Sequence, residues 1–291
     1  MKIGVLGEHS YIGQSFGKHC ERKKDVSVDF VSARNNTWMD SDFSIYDIIL
    51  CTIGIAHIST DPKMEQKYYA INRDLPILIA KKAKMAGVKQ FVFFSSMIVF
   101  GDDLQINETL FITNTTKPKP SNFYGKSKLE AEIQLLQLVS EDFCVTVIRT
   151  PMVYGENCKG NFQKLISFSR KAMIFPDIPN QRSMIYIFNL CEFVLNCLYN
   201  NITGIVYPQN SEYVGTSSII ECARKCQGKS VHFITIFNPL LYLVSRRIGL
   251  IRKIFGSRIY DRKLSPNIEA YNIFTFEESI QRCVQSIKTV P

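Results

Sequence analysis

The sequence predicts an α/β fold built on a buried parallel sheet, and two observations carry that prediction. Short apolar runs such as Lys2-Ile3-Gly4-Val5-Leu6-Gly7 and Gln90-Phe91-Val92-Phe93-Phe94-Ser95-Ser96 are continuous rather than alternating. A strand of that kind is covered on both faces, which a parallel sheet flanked by helices provides. Through the first half of the chain these runs also alternate with segments of helical pattern. The chain has 291 residues, 46% of them hydrophobic and 21% charged, enough for one large domain or two closely joined ones.

The elements follow in order. The first strand ends at Gly7, and the turn from Gly7 to Gly13 leads into a helix reaching about Arg22. A second strand spans 26–32 and a third 46–54. A long helix is expected over 64–86, followed by the fourth strand at 90–96. The loop Thr116-Lys117-Pro118-Lys119-Pro120 precedes a helix that opens near Ser121 and carries Tyr124. The fifth strand spans 144–149. Beyond Gly155 the alternation loosens, with helices expected over 161–171, 189–199 and 216–226 and a basic, apolar helix or helix pair over 238–256. Shorter strands and more Pro and Asn predict a smaller C-terminal lobe, so residues 1–155 are expected to form the sheet domain and 156–291 mainly a second, ligand-covering lobe. Parallel sheets of this kind bind ligands at the carboxyl ends of their strands.

Lys and Arg outnumber Asp and Glu by 35 to 26, a formal charge of +9 with pI near 9.0. The balance favours anionic partners: phosphates, nucleic acid or an acidic lipid surface. No nucleic-acid-binding motif is present, so nucleic acid is not expected as a partner. The nine cysteines are odd in number, and Cys222-x-x-x-Cys226 has no second pair beside it. They read as thiols of a cytoplasmic protein, with no metal site. No signal-peptide pattern precedes the first strand, and no apolar run nears the ~20 residues of a membrane span.

Two motifs carry chemistry. Gly7-x-x-Ser10-x-x-Gly13 lies between a strand and a helix, where a pyrophosphate meets a helix N-terminus. Tyr124 and Lys128 stand four apart and share a helix face. A free Tyr titrates near ~10, and a cation beside it favours the phenolate. The pair is therefore a candidate proton donor and acceptor.

Taken in order, the glycine turn, Ile53-Gly54-Ile55-Ala56-His57, Asn72, Ser95-Ser96-Met97-Ile98-Val99-Phe100-Gly101, Tyr124-x-x-x-Lys128, Arg149-Thr150-Pro151-Met152-Val153-Tyr154-Gly155 and Gln181-Arg182-Ser183-Met184-Ile185-Tyr186-Ile187 resemble the extended short-chain dehydrogenases/reductases. Within them, the nucleotide-sugar epimerase/dehydratase/reductase group is most similar. The resemblance implies a Rossmann-type doubly wound sheet with a smaller C-terminal substrate-binding lobe. It implies that Tyr124 exchanges a proton with the sugar oxygen, that Lys128 holds the nicotinamide ribose and tunes Tyr124, and that Ser96 hydrogen-bonds the same oxygen. Gly7, Ser10, Tyr11, Ile12 and Gly13 would hold the cofactor pyrophosphate. Ile53 and Gly54 would pass its adenine side, and Ser95 and Pro151 would line the nicotinamide. Arg182 would hold the substrate diphosphate, with Asn161 and His57 also at the substrate. Asn72 would support the sheet near the site.

The chain departs from the pattern in two places. Ser10 stands where a second Gly is usual, and its Cβ would crowd the pyrophosphate. The end of the second strand, Phe30-Val31-Ser32-Ala33-Arg34, has no acid to hold a ribose 2′-hydroxyl, whereas Ser32 and Arg34 would suit a 2′-phosphate. NADP(H) is therefore favoured over NAD(H). The implied activity is hydride transfer at C4 of a UDP- or dTDP-sugar by a 4-keto reductase, for cell-surface polysaccharide precursors. A nucleotide-sugar 4-epimerase with retained NAD is the alternative. The basic, apolar segment 237–255 could add weak membrane-surface association to a cytoplasmic enzyme, and a homodimer is left open.

Overall fold

The computed structural model describes residues 1–56, 61–102 and 104–288. Six strands form one sheet: β1 (Lys2–Leu6), β2 (Ser27–Val31), β3 (Ile48–Cys51), β4 (Gln90–Ser96), β5 (Cys144–Thr150) and β6 (Gly204–Val206). They lie in the order β6–β5–β4–β3–β1–β2, and every pair is parallel. The central strands are apolar because both faces are covered; Ile3, Val5, Ile49, Leu50, Phe91, Phe93, Val145 and Val147 are fully buried. Each such side chain contributes about 1.5–3 kcal/mol relative to exposure. The order reverses between β1 and β3, so a ligand crevice is expected where their carboxyl ends part. Gly7 follows β1 there, and Thr52 follows β3.

Helix α1 (Tyr11–Cys20) follows β1, and helix α2 (Phe123–Leu136) carries Tyr124 and Lys128. The long helix expected between β3 and β4 is broken into Glu65–Tyr69 and Leu75–Met85, joined by a π-helical turn over Ala70–Asp74. Pro76 explains the break. It has no N–H to give the carbonyl of Asn72, four residues earlier. The wider turn leaves Asn72 fully buried.

The chain divides into two compact units. Met1–Asp102, Thr116–Thr150 and Cys191–Pro208 form the first, and the remaining described residues form the second. Where the sequence suggests one boundary near 155, the chain returns to the first unit so that β6 can pair with β5. The second unit holds three two-stranded parallel pairs: Ile174–Pro176 with His232–Ile234, Thr109–Ile112 with Ser257–Tyr260, and Met152–Tyr154 with Met184–Tyr186. The basic apolar segment is a helix pair, Asn238–Ser245 and Gly249–Phe255. The interior of this unit is partly polar, and several of its buried side chains bond one another. Gln209 accepts from Ser183 Oγ at 2.7 Å and donates to Ser265 Oγ at 2.9 Å, while Tyr154 bonds Ser279 and Asn210.

Candidate active site

The glycine turn is locked to the end of β3 by a directed chain of hydrogen bonds. Gly7 has φ +111°, and a Cβ there would lie 2.4 Å from Thr52 Oγ1, so only glycine fits. The Gly13 amide donates to Ser10 Oγ at 2.8 Å. Thr52 Oγ1 spends its proton on the Leu6 carbonyl at 2.8 Å, so in the 2.6 Å contact between the hydroxyls Ser10 is the donor. The Ser10 side chain therefore caps α1 and points to Thr52. The hydroxyl of Ser10 is thereby turned toward β3, while its Cβ stays where the backbone sets it. The first turn of α1 has no acid, so its positive N-terminal end suits a pyrophosphate held by the backbone around Tyr11 and Ile12.

The expectation of no acid beside the end of β2 needs correction. Ser32 Oγ donates to Glu8 Oε1 at 3.0 Å. The carboxylate arrives from the glycine turn rather than from β2 itself. His9 Nε2 lies 3.5 Å from the same oxygen, and Gln14 Nε2 donates to the Glu8 carbonyl. Arg34 is exposed and opens a 3₁₀ turn over Arg34–Met39. The Glu8 carboxylate is thus hydrogen-bonded to Ser32, and Arg34, the cation expected for a 2′-phosphate, follows Ser32 two residues on in the chain.

On α2, Tyr124 has a side-chain hydrogen bond with Ser96, and burial raises its phenol above the ordinary value, with Ser96 working the other way. The opposing pull comes from Ser96 and not from Lys128, the group the sequence pointed to. Lys128 is buried, donates from Nζ to the Phe94 carbonyl at 2.7 Å and lies 4.4 Å from the Phe93 ring centroid. Burial pushes its ammonium down to about 8, with Cys51 and Glu132 opposing. A Cβ on Gly54 would stand 3.1 Å from Lys128 Nζ and 3.2 Å from Asn72 Oδ1. At Gly54 the loop after β3 thus comes close to Lys128 of α2. Asn72 fixes that loop by bonding both the N–H (2.8 Å) and carbonyl (3.2 Å) of Ile55. Ile53, just before, packs against the sheet core.

Beneath these groups lies a buried ion pair that the sequence reading missed. Arg149 Nη2 meets Glu132 Oε2 at 2.6 Å, with side-chain exposures of 6% and 1%. Arg149 also donates to Tyr207 Oη at 3.0 Å. Ser95, expected to line the nicotinamide, has its hydroxyl hydrogen-bonded to Glu132, and its carbonyl accepts from Thr150 at 2.9 Å. The signal was available in the spacing: Tyr124, Lys128 and Glu132 recur every four residues, one inward face of α2.

The remaining expected site residues lie in the second unit or outside the described residues. Pro151 is buried directly after β5, and Asn161 is exposed at the first position of the helix Asn161–Ser169. Arg182, expected at the substrate diphosphate, has hydrogen-bond partners within the second unit. Its Nη2 donates to the carbonyls of Lys253 (3.3 Å) and Gly256 (3.1 Å), and also to that of Ile254, at the end of the helix Gly249–Phe255. Burial lowers its guanidinium to about 10. Arg182 here closes a helix C-terminus, a favourable place for a cation. His57 lies outside the described residues. Among the described residues no group of three or more His, Cys, Asp or Glu could hold a metal ion.

Known proteins resemble this chain in sequence and in fold. The sequence model of the NAD dependent epimerase/dehydratase family matches residues 5–207. A UDP-glucose 4-epimerase of Vibrio cholerae is 29% identical over 204 residues, 65% of this chain and 59% of that protein. An Escherichia coli O157:H7 4-epimerase of N-acetyl-α-D-glucosaminyl-diphospho-ditrans,octacis-undecaprenol is 30% identical over 142 residues, 47% of this chain and 41% of that protein. The matches thus span less than two thirds of these relatives. Among solved structures, the Bacillus cereus UDP-glucuronic acid 4-epimerase in complex with NAD superposes with TM-score 0.76 at 17% identity, covering 100% of this chain and 97% of that one. RMD from Pseudomonas aeruginosa complexed with NADPH superposes with TM-score 0.75 at 14% identity, covering 99% and 100%. At these identities the superpositions speak for the fold.

Proposed function

The chain belongs to the NAD dependent epimerase/dehydratase family, and from that premise we propose that it interconverts the C4 epimers of a nucleotide-diphosphate sugar, UDP-linked in the first instance, with NAD retained. The observation that carries the choice is Glu8 hydrogen-bonded to Ser32 at 3.0 Å. A carboxylate at that place accepts a hydrogen bond from a ribose 2′-hydroxyl and repels a 2′-phosphate. This replaces the NADPH-dependent reductase favoured by the strand sequence alone. The reductase stays as a second reading because Arg34 is exposed beside the same strand end.

The residues present fit a dinucleotide. The α1 N-terminus and the Gly7 turn would hold the pyrophosphate, Glu8 and Ser32 the adenosine ribose, and Lys128 the nicotinamide ribose. The nicotinamide supplies reversible hydride acceptance at C4. Tyr124 takes the proton from the C4 hydroxyl as that carbon is oxidised and returns it on reduction of the other face. Ser96, bonded to Tyr124, holds the same oxygen. Lys128, charged below about pH 8, favours the transient phenolate that an otherwise buried Tyr124 resists.

The test is to denature the purified protein, identify any released nicotinamide nucleotide, and incubate the native protein with UDP-glucose, UDP-N-acetylglucosamine and polyprenyl-diphosphate N-acetylglucosamine without added cofactor. Released NAD and a C4-epimer mixture are expected. No released nucleotide, together with NADPH consumption by a 4-keto sugar, would establish the reductase instead.

Glu8→Gln should then weaken NAD binding by roughly ten- to a hundredfold, the range for a lost charge-assisted hydrogen bond of about 1.5–3 kcal/mol. It should also narrow the preference over NADP. Titration of cofactor-depleted protein with both nucleotides reads this directly. If NADP binds tighter than NAD in the unsubstituted protein, Glu8 does not hold the ribose.

A pH profile tests Lys128. Its folded pKa is lowered, to about 8, so turnover that needs the ammonium should fall as pH rises through about 8. Between that pH and the unfolded value near ~10.4, the unfolded chain binds the proton and the folded chain does not. This group therefore makes stability rise with pH across that window. Turnover that stays level through pH 9 would remove the charged form from the mechanism.

A further inference from the structure

We propose that the helix pair Asn238–Ser245 and Gly249–Phe255 is a docking surface for an anionic lipid bilayer, on which the protein rests without inserting a span. Unlike the reading of the reaction, this rests on the second unit alone. Among the described residues no helix is long and apolar enough to cross a membrane, so attachment would be interfacial.

The pair has two faces. Leu241, Tyr242, Ile251, Ile254 and Phe255 pack on a core of Ile106, Ala172, Phe175, Ile178 and Ile220. On the other side Ile236, Phe237, Leu240, Leu243 and Leu250 are each more than half exposed. Leu240 and Leu243 stand three apart on one helix, so they share a face. Exposed large aliphatic residues clustered within one short segment mark an interaction surface rather than scattered surface apolars.

Charge selects the occupant. Between Glu221 and Asp261 the chain has no acidic residue. Arg246, Arg247 and Lys253 are exposed, the two arginines at the bend between the helices and Lys253 on the second helix beside Leu250. Apolar residues flanked by cations, with no acid among them, match the headgroup–acyl boundary of an anionic bilayer. A second copy is a poor fit. A twofold contact would press this patch against itself and bring the cations of both copies together.

The surface is presented on a fixed base. Arg182 closes the end of the second helix through the carbonyls of Lys253 and Gly256, and Thr216 Oγ1 donates to the Ile254 carbonyl at 2.5 Å. At the start of the first helix Asn238 Nδ2 donates to the Asp177 carbonyl at 2.7 Å. The exposed apolar side chains therefore project from a backbone tied at both ends, which lowers the cost of ordering the segment on contact with lipid.

The experiment is sedimentation of the full chain with phosphatidylcholine vesicles, with and without phosphatidylglycerol, at low and at moderate salt. Two double variants accompany it: Arg246→Gln with Arg247→Gln, and Leu240→Ser with Leu243→Ser. All four positions are outside the residues assigned to catalysis and cofactor, and a thermal unfolding midpoint checks that each variant is folded. Binding to the anionic vesicles only is expected, reversed by salt. Each cation near such a surface is worth roughly fivefold in partitioning, so the arginine variant should bind at least about tenfold more weakly. The serine variant should lose binding to a similar degree at unchanged charge. Absence of binding at low salt would overturn the proposal, as would binding that neither folded variant weakens. A concentration-dependent dimer abolished by the serine variant, without vesicle binding, would assign the surface to a second copy instead.

Discussion

Tyr124→Phe is expected to lower turnover by about 10²–10⁴-fold, the usual contribution of a general acid–base group, while leaving the fold and cofactor binding unchanged. Only the hydroxyl is lost, and the ring keeps its packing at 6.4 Å between centroids from Tyr68. The effect is large because the phenol is the one group in the site that can both take and return the C4 proton. Ser96, its hydrogen-bond partner, is a much weaker acid and base, so it cannot substitute. Ser96→Ala should therefore cost less, because Tyr124 remains. Single-turnover measurement on protein of verified cofactor content separates the chemical step from binding. Near-normal turnover in Tyr124→Phe would remove Tyr124 from its role.

Arg149→Met should destabilise the protein by about 3–5 kcal/mol, because it strands a buried carboxylate. Glu132 is 1% exposed and accepts from Arg149 Nε and Nη2 and from Ser95. With the guanidinium gone, that carboxylate has no counter-charge in contact except by drawing on Lys128, one turn away on α2. The loss should thus appear twice: in the denaturant midpoint, and as an upward move of the Lys128-linked pH dependence. The double variant Arg149→Met with Glu132→Leu removes both charges and should recover much of the stability. If Arg149→Met alone unfolds at the same denaturant concentration as the unsubstituted protein, the pair does not carry this load.

The sheet was legible because its strands are continuous apolar runs: the expected 90–96 coincides with β4, and 144–149 falls one residue short of β5. β6 was not, since Gly204-Ile205-Val206 is too short to show a period and becomes a strand only by pairing with β5. Pro76 was visible in the sequence, but not that the helix would continue past it through a wider turn, with Asn72 bonded to Ile55. At the site, residues on one helix face or one loop could be read from spacing, as with Tyr124 and Lys128. Contacts across the fold could not. Glu8 looked like an ordinary turn residue because Ser32 is distant in the chain. Arg182 was expected at the substrate diphosphate, and the helix carbonyls it meets come some seventy positions later. Ser95 looked available to a cofactor until Glu132 was placed against it.

The most direct test of retained-cofactor epimerisation follows the hydrogen on C4. The purified protein would be incubated with a UDP-sugar carrying deuterium at C4, without added nucleotide, and the epimeric product analysed by mass spectrometry and NMR. A hydrogen taken from C4 and returned to the same sugar predicts product with deuterium still at C4 and none in solvent or free nucleotide. Product lacking the label, or formed only when NADPH and a 4-keto sugar are supplied, would contradict the account.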